Sequence, residues 1–270
     1  MRRGAAAAKI NLGLVVGPRR SGGRHELVTV YQRVSLSDHI TVSRSPEVRV
    51  DGFAGDTLVR RALEFVADGS GLGFAARIKK RIPVAGGLGG GSSDAATALK
   101  LANELRDEPH AADRLEAFAR ELGADIPFFL HEGPQLGLDD GTRLEPVELP
   151  QDYWVLLVLP IGAEKRSTDE VYAAFDARGG EHGYETRRAA LLESLAAVHR
   201  PRDLAALPPN DLADSPLADE LRALGAFRAD VSGAGPTVYG LFLHGEEARA
   251  AVKRISPKGR TWLTAPAWYG

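Results

Sequence analysis

The residues of this chain best placed to do chemistry form one stretch: Pro83, Val84, Ala85, Gly86, Gly87, Leu88, Gly89, Gly90, Gly91, Ser92 and Ser93, running into Asp94-Ala95-Ala96. Five of the six residues from 86 to 91 are glycine. Residues 76–82 before it alternate polar and apolar, as a half-buried strand does. After it, Ala95, Leu99 and Ala102 fall at helical spacing within residues 92–105. A glycine-rich loop therefore leads into a helix that opens on two serines. Free N–H groups at a helix start, together with the dipole, attract an anion. Glycines let the backbone come close to a phosphate, and the hydroxyls can cap the helix or reach a metal-bound phosphate. This chemistry suits a nucleotide triphosphate cradle. The alternative is a flexible turn before a well-capped helix, for which so many glycines are a heavy entropic cost. No Gly-Lys-Ser/Thr and no Gly-x-Gly-x-x-Gly occurs, so neither a Walker A loop nor a dinucleotide fold is supported.

Two further groups could act on a ligand there. Asp125 lies in Gly123-Ala124-Asp125-Ile126-Pro127-Phe128-Phe129. A carboxylate among apolar neighbours can be raised in pKa and serve as a base, although an aspartate before proline also makes a common turn. Lys9 and Asn11 share one face of an alternating segment whose other face carries Ile10, Leu12 and Leu14. Taken alone, Lys9 is equally a solvated strand lysine.

The elements that must position these groups follow from periodicity and turn residues. Residues 4–16 and 28–34 read as strands around a basic turn at 17–23, and 40–43 with 47–50 as a hairpin about Ser45-Pro46. A helix spans 57–68 and ends in the glycine-rich segment 68–73. A second spans 113–122, with Asp113 and Glu116 as a capping pair and Gly123 as its stop. A buried strand at 154–159 opens the second half, followed by a loop at 160–167, a helix at 169–175 and a polar linker at 178–183. Helices at 187–198, 217–224 and 246–255 and strands at 238–243 and 260–264 complete it. The small residues of Val231-Ser232-Gly233-Ala234-Gly235-Pro236-Thr237 permit close approach of a ligand or backbone.

Composition bounds the rest. The chain has 270 residues, enough for one large or two modest domains, with 44% hydrophobic and 26% charged residues. A net charge of −2 creates no field favouring nucleic acid or an acidic membrane. Without cysteine there is no disulfide, thiol catalysis or cysteine metal site, which fits a reducing cytoplasm. Lys9 interrupts the short alanine run after Met1-Arg2-Arg3, and no apolar run reaches membrane-spanning length.

Pro83-x-x-x-Gly87-Leu88-Gly89-x-x-Ser92-Ser93, followed by Ala95-Ala96, resembles the phosphate loop of the GHMP kinase superfamily of galacto-, homoserine, mevalonate and phosphomevalonate kinases. The longer string IPVAGGLGGGSSDAA is similar to the version in the branch that phosphorylates a cytidine diphosphate-linked methylerythritol in the non-mevalonate isoprenoid pathway. AKINLGL resembles that branch's opening strand, GADIPFF its catalytic-aspartate motif, and residues 231–237 the superfamily's third motif, which faces the phosphate loop. Asn210-Asp211-Leu212 resembles a structural turn. Two segments depart from the pattern. Arg24 precedes His25 where the family has a tyrosine that stacks on cytosine, although an arginine plane can also stack. Asp139-Asp140-Gly141-Thr142 replaces a Gly-x-Gly-Glu pattern, and two carboxylates near a diphosphate would repel it unless a metal intervenes.

The resemblance implies an α+β fold of two GHMP kinase domains, residues 1–150 and 151–270, with the active site in the cleft between them. It implies ATP and Mg²⁺, with Lys9 and Asp125 catalytic, residues 83–93 on the ATP phosphates, and no residue assigned as a metal ligand. Asn11, Arg24, His25, Thr168 and Tyr172 line the acceptor side. Residues 168–172 resemble a segment closing a cytidine pocket; Tyr172 is either a second stacking group or a packing residue of its helix. The implied partner is a small cytidine diphosphate derivative, with no nucleic acid and no membrane, for a cytoplasmic monomer or weak homodimer. The alternatives are a paralogous kinase of altered substrate, which the two departures motivate, and a non-catalytic nucleotide-binding protein on the same fold.

Overall fold

Two long antiparallel strands, β1 (Arg2–Arg19) and β2 (His25–Ser45), run side by side from Arg2 opposite Val42 to Arg19 opposite His25. The computed structural model describes all residues except Ser70, Glu164, Lys165 and 268–270. Two residues of the expected loop at 160–167, and one of the segment 68–73, lie outside the described residues. The chain continues through β3 (Arg49–Asp51), α1 (Leu58–Ala67), β4 (Gly73–Lys79), α2 (Gly90–Asn103), α3 (Ala112–Leu122), β5 (Gln135–Leu138) and β6 (Arg143–Pro146). Then come β7 (Trp154–Pro160), α4 (Thr168–Ala177), α5 (Tyr184–Ala196), α6 (Pro216–Ala223), β8 (Arg228–Val231), β9 (Val238–Phe242), α7 (Gly245–Ile255) and β10 (Gly259–Thr264).

The strands form two sheets, β3-β4-β2-β5-β6 with β1 paired to β2, and β10-β7-β9-β8. The first draws only on residues up to Pro146 and the second only on residues from Trp154 onward. Helices α1 to α3 pack on the first sheet around Val59, Leu63, Leu99 and Phe118. Helices α6 and α7 pack on the second around Leu221, Phe242 and Ala251. A third cluster joins the sheets, because the apolar face of β1 (Ile10, Leu12) meets Val155 and Leu157 of β7, Tyr239 of β9 and Leu191 of α5. The opposite face of β1, carrying Lys9 and Asn11, is thereby turned away from this core. Burial at about 25 cal/mol per Å² drives this division of faces.

Three expectations need correction. The strands expected at 28–34 and 40–43 are one strand, β2. Its polar middle is satisfied by tertiary partners: the Ser35 hydroxyl shares a hydrogen bond with the Thr264 hydroxyl at 2.6 Å. Residues 47–50 do not return as a hairpin. Residues 39–45 of β2 are already paired with β4, so β3 joins the far side of β4 in parallel. The Asp113–Glu116 capping pair does not form, because Ala111 is the N-cap and the Glu116 carboxylate instead lies 2.8 Å from His131 Nε2.

Candidate active site

Strand β1 delivers Lys9 beside the phosphate loop, where its backbone N–H donates to Leu88 O at 2.9 Å. Its Nζ donates to Asn11 Oδ1 at 2.7 Å and lies 3.6 Å from Asp125 Oδ2. Lys9 is 4% exposed, whereas the Asp125 side chain is 38% exposed, so the carboxylate is the member of the pair that a ligand can reach. The Tyr31 hydroxyl donates to Asp125 Oδ1 at 3.2 Å. Burial, and next the Asp125 charge, push the Tyr31 phenol well above its ordinary value, so it remains a donor. Asn11 is occupied at both ends: Oδ1 takes Lys9, and Nδ2 donates to Thr29 Oγ1 at 2.7 Å. It holds Lys9 in place.

The phosphate loop is shaped by what it touches. Gly89 has φ +68°, and a Cβ there would lie 2.9 Å from Phe129 Cζ and 3.0 Å from Lys9 Cγ. At Gly87, with φ +78°, a Cβ would lie 2.3 Å from Ser232 O. Only glycine fits either position. The 231–237 segment docks directly on the loop: Ser232 Oγ donates to Gly87 O at 3.0 Å and Thr237 N to Gly86 O at 3.2 Å. Helix α2 starts at Gly90, with Gly89 as N-cap and no side-chain cap. Ser92 and Ser93 therefore sit inside its first turns rather than capping it, and the first N–H groups are left for a ligand. Residues 83–92 line a cavity of about 250 Å³ together with Phe53, Lys80 and Asp94.

The loop is anchored by a lysine between two carboxylates. Lys80 Nζ donates to Asp38 Oδ2 at 2.5 Å and to Asp94 Oδ2 at 2.8 Å. Asp38 Oδ1 also accepts from the backbone N–H of Arg81 and of Ile82, which fixes the start of the loop. Asp94 is 2% exposed and its Oδ1 has no partner among the described residues. Burial first, and Asp38 as a neighbouring charge, push its carboxyl up to about 7 against the pull of Lys80. Burial lowers the Lys80 ammonium, but the two carboxylates outweigh it and raise it. With one lysine for two carboxylates, Asp94, the one with fewer donors, takes the proton.

Two cavities meet at Asp125 and Tyr31. The first, about 290 Å³, is walled by Lys9, Asn11, Gly87, Gly89, Thr168, Tyr172 and the 233–235 backbone. The second, about 610 Å³, is walled by Arg19, Arg24, His25, Ser92, Asp140, Thr168 and Tyr172. His25, Leu27, Thr29 and Tyr31 share one face of β2 by alternation. Helix α4 packs through Val171 and Phe175 on Leu14 and Val16 of β1, and so presents Tyr172. Its N-terminus is fixed by a Ser167–Glu170 capping box. The His25 ring stacks on Tyr172 at 4.7 Å, and its Nε2 lies 2.7 Å from Asp176 Oδ1. One face of Tyr172 is thus covered by His25 within the protein.

The feared repulsion of a diphosphate by Asp139 and Asp140 is answered without a metal. Asp140 Oδ2 accepts from Arg24 Nη1 at 2.8 Å, and its Oδ1 accepts from the Thr142 hydroxyl at 2.6 Å. Burial opposes its ionisation, but these donors outweigh burial and hold the carboxyl below its ordinary value. Asp139 lies 3.2 Å from Arg143 Nε and 3.6 Å from Arg20 Nη1. The two departures from the family pattern, Arg24 and Asp140, are partners of one another.

Tyr31, Lys80, Asp38 and Asp94 escaped sequence reasoning. Tyr31 has the same strand parity as His25, which is the signal that could have found it. Asp94 stands next to the two serines already singled out. Lys80 and Asp38 carry no local signal.

A glycine loop on a helix start, a docked third motif and a lysine–aspartate pair in one cleft define a small-molecule kinase of the GHMP type. The family described as GHMP kinases N terminal domain matches residues 57–133, and that described as GHMP kinases C terminal matches residues 189–260. A 4-diphosphocytidyl-2-C-methyl-D-erythritol kinase of Kineococcus radiotolerans is 36% identical, covering 93% of this chain and 85% of that one. One from Nocardia farcinica is 38% identical, covering 94% and 89%. A solved 4-(cytidine 5'-diphospho)-2C-methyl-D-erythritol kinase superposes with a TM-score of 0.79 at 32% identity, over 98% of this chain and 99% of that one. A mevalonate kinase shares the fold, with a TM-score of 0.75 at 13% identity. The chain belongs to the GHMP kinase superfamily and, within it, to the family of 4-diphosphocytidyl-2-C-methyl-D-erythritol kinases.

Proposed function

We propose that the chain transfers the γ-phosphoryl group of ATP to the 2-hydroxyl of 4-diphosphocytidyl-2-C-methyl-D-erythritol, a step toward isoprenoid precursors. The observation that carries the reading is the position of Asp125, which borders both the cavity of about 290 Å³ beside the phosphate loop and the acceptor cavity of about 610 Å³. Members of the superfamily use ATP. Here residues 83–93 would hold its phosphates through backbone N–H groups and the start of α2. Asp125 takes the proton of the acceptor hydroxyl. The hydroxyl oxygen forms the bond to the γ-phosphorus as the bridging bond to the β-phosphate breaks, and the electron pair leaves with ADP. Lys9, fixed by Asn11, faces the Asp125 carboxylate and the transferring group and offsets their negative charge.

Mg²⁺ fits this donor set as an ion that arrives with the nucleotide. Among the described residues no group of three or more His, Cys, Asp or Glu side chains gathers to hold a metal. Of the oxygen donors on the wall of the larger cavity, Ser92 and Asp125 are the two that belong to the glycine loop's helix start and to the Lys9 pair. These two would complete a sphere made mostly of phosphate oxygens and water, and the ion would neutralise phosphate charge. On the acceptor side the exposed face of Tyr172 and the Arg24 plane would hold the cytosine ring, with His25 backing Tyr172 and Thr168 at the wall. Water-soluble nucleotide substrates suit a cytoplasmic enzyme, and among the described residues no helix is long and apolar enough to cross a membrane.

The test is a kinase assay with the cytidine diphosphate substrate beside mevalonate, homoserine and galactose, on the parent and on Asp125→Asn. The parent should turn over the cytidine substrate alone. The variant should lose at least about 10²-fold in kcat while keeping ATP affinity within a few fold. More than roughly a tenth of the parental rate in the purified variant would remove Asp125 from the role of base.

A further inference from the structure

A fourth cavity, of about 210 Å³, lies between β1 and the face of α2 that carries Ser93, Thr97, Lys100 and Glu104. No step of the phosphoryl transfer uses it. Arg33 of β2 forms part of its wall and is 1% exposed. Its Nη2 donates to Phe128 O at 2.8 Å, and its guanidinium sits 4.6 Å from the centre of the Phe128 ring. Its Nη1 has no hydrogen-bond partner among the described residues. A buried cation with an unmade hydrogen bond is costly, and folded proteins rarely keep one without a counter-charge.

The neighbours make the imbalance larger. Lys100 faces the same space, and burial first, then Arg33, hold its ammonium below the ordinary value. Burial lowers Arg33 to about 10, so its guanidinium stays charged at neutral pH. Arg3 adds a third cation to the wall. The one carboxylate on the wall, Glu104, already lies 3.3 Å from Arg2. The other nearby carboxylate, Glu132, is exposed and off the wall, and its charge favours the charged forms of Arg33 and Lys100 by less than burial opposes them. The hydroxyls of Ser93 and Thr97 supply two more donors. Water could satisfy Nη1 but could not offset two charges that repel each other. A guanidinium fork, an ammonium and two hydroxyls form the donor set that recognises an oxyanion.

We propose that this cavity binds a phosphate group, as a second anion site apart from the nucleotide cradle. It backs directly on the phosphate loop. Ser93 N donates to Gly89 O at 2.9 Å, and Phe129, on the cavity wall, is one of the two side chains that a Cβ at Gly89 would meet. A bound phosphate ties α2, β1 and β2 together behind the loop.

The experiment titrates inorganic phosphate into the full-length protein already saturated with a non-hydrolysable ATP analogue, read by ³¹P line width and by thermal shift. Saturable binding should persist with the nucleotide site filled. Lys100→Gln, a half-buried helix position, should weaken it at least about tenfold, the loss of one charge-assisted hydrogen bond. Arg33→Met should abolish it, and Lys100→Gln keeps the test valid if that variant does not fold. Glycerol phosphate titrated in parallel distinguishes the head group of a larger metabolite from the free ion; binding of either one, sensitive to Lys100→Gln, supports the site. Loss of all phosphate binding when the analogue is present, or binding indifferent to Lys100→Gln, would overturn the proposal.

Discussion

Replacing Asp94 by asparagine should remove a pH-dependent cost built into the base of the phosphate loop. The Asp94 side chain is 2% exposed, bound to Lys80 through Oδ2 and unpartnered at Oδ1 among the described residues. Its carboxyl is pushed from 3.8 up to about 7, by burial first. Between those values the folded protein binds a proton that the unfolded chain has released. Stability therefore falls as pH rises from about 4 to about 7, and the full cost is present above that window. At about 1.4 kcal/mol per pH unit the ceiling is about 4 kcal/mol. Asp38 and Asp94 bind the same lysine and their charges are coupled, so an observed change of roughly 2 kcal/mol is the working expectation. Asparagine carries no charge at any pH and mimics the protonated acid. Urea unfolding at pH 5, 6, 7 and 8.5 should show the variant gaining on the parent as pH rises. A constant offset from changed packing does not matter, because the slope carries the effect. Parallel stability curves for the two proteins across this range would refute the reasoning.

Gly89→Ala should lower kcat by about 10- to 100-fold while moving the KM for ATP much less, because the methyl group would strike Phe129 and the Lys9 side chain rather than the phosphates. The positive φ adds about 1 kcal/mol of instability by denaturant unfolding, and an unchanged kcat would show that Lys9 tolerates displacement. Tyr172→Ala should raise the KM for the cytidine substrate by roughly 5- to 150-fold, on about 1–3 kcal/mol per stacked base, with the KM for ATP unmoved. Arg24→Ala should cost less than Tyr172→Ala, since its guanidinium is already paired with Asp140 at 2.8 Å; a larger loss than for Tyr172 would reverse the assignment of the main stacking group.

The chemistry-bearing segments were legible in the sequence because their signals are local. Glycine density before a helical period marks the glycine-rich loop at the start of α2 whatever surrounds it, since the positive φ at Gly87 and Gly89 suits glycine. Alternation put Lys9 and Asn11 on one face of β1, and Gly-Ala-Asp-Ile-Pro marked Asp125 in a turn. Helix positions were readable for the same reason, as at α1 and α7. Only the tertiary structure decided which groups meet. Arg24 and Asp140 are 116 residues apart, and each by itself is a solvated charge. Lys80 gathers carboxylates from β2 and α2, and Arg33 faces Lys100 across a cavity that neither strand nor helix encloses alone. β2 passes unbroken through its polar middle, and β3 runs parallel to β4, because pairing with distant strands outweighs local turn propensity. Periodicity sets which face a residue occupies. What lies opposite that face, and hence its charge state and its chemistry, depends on contacts that leave no trace in neighbouring residues.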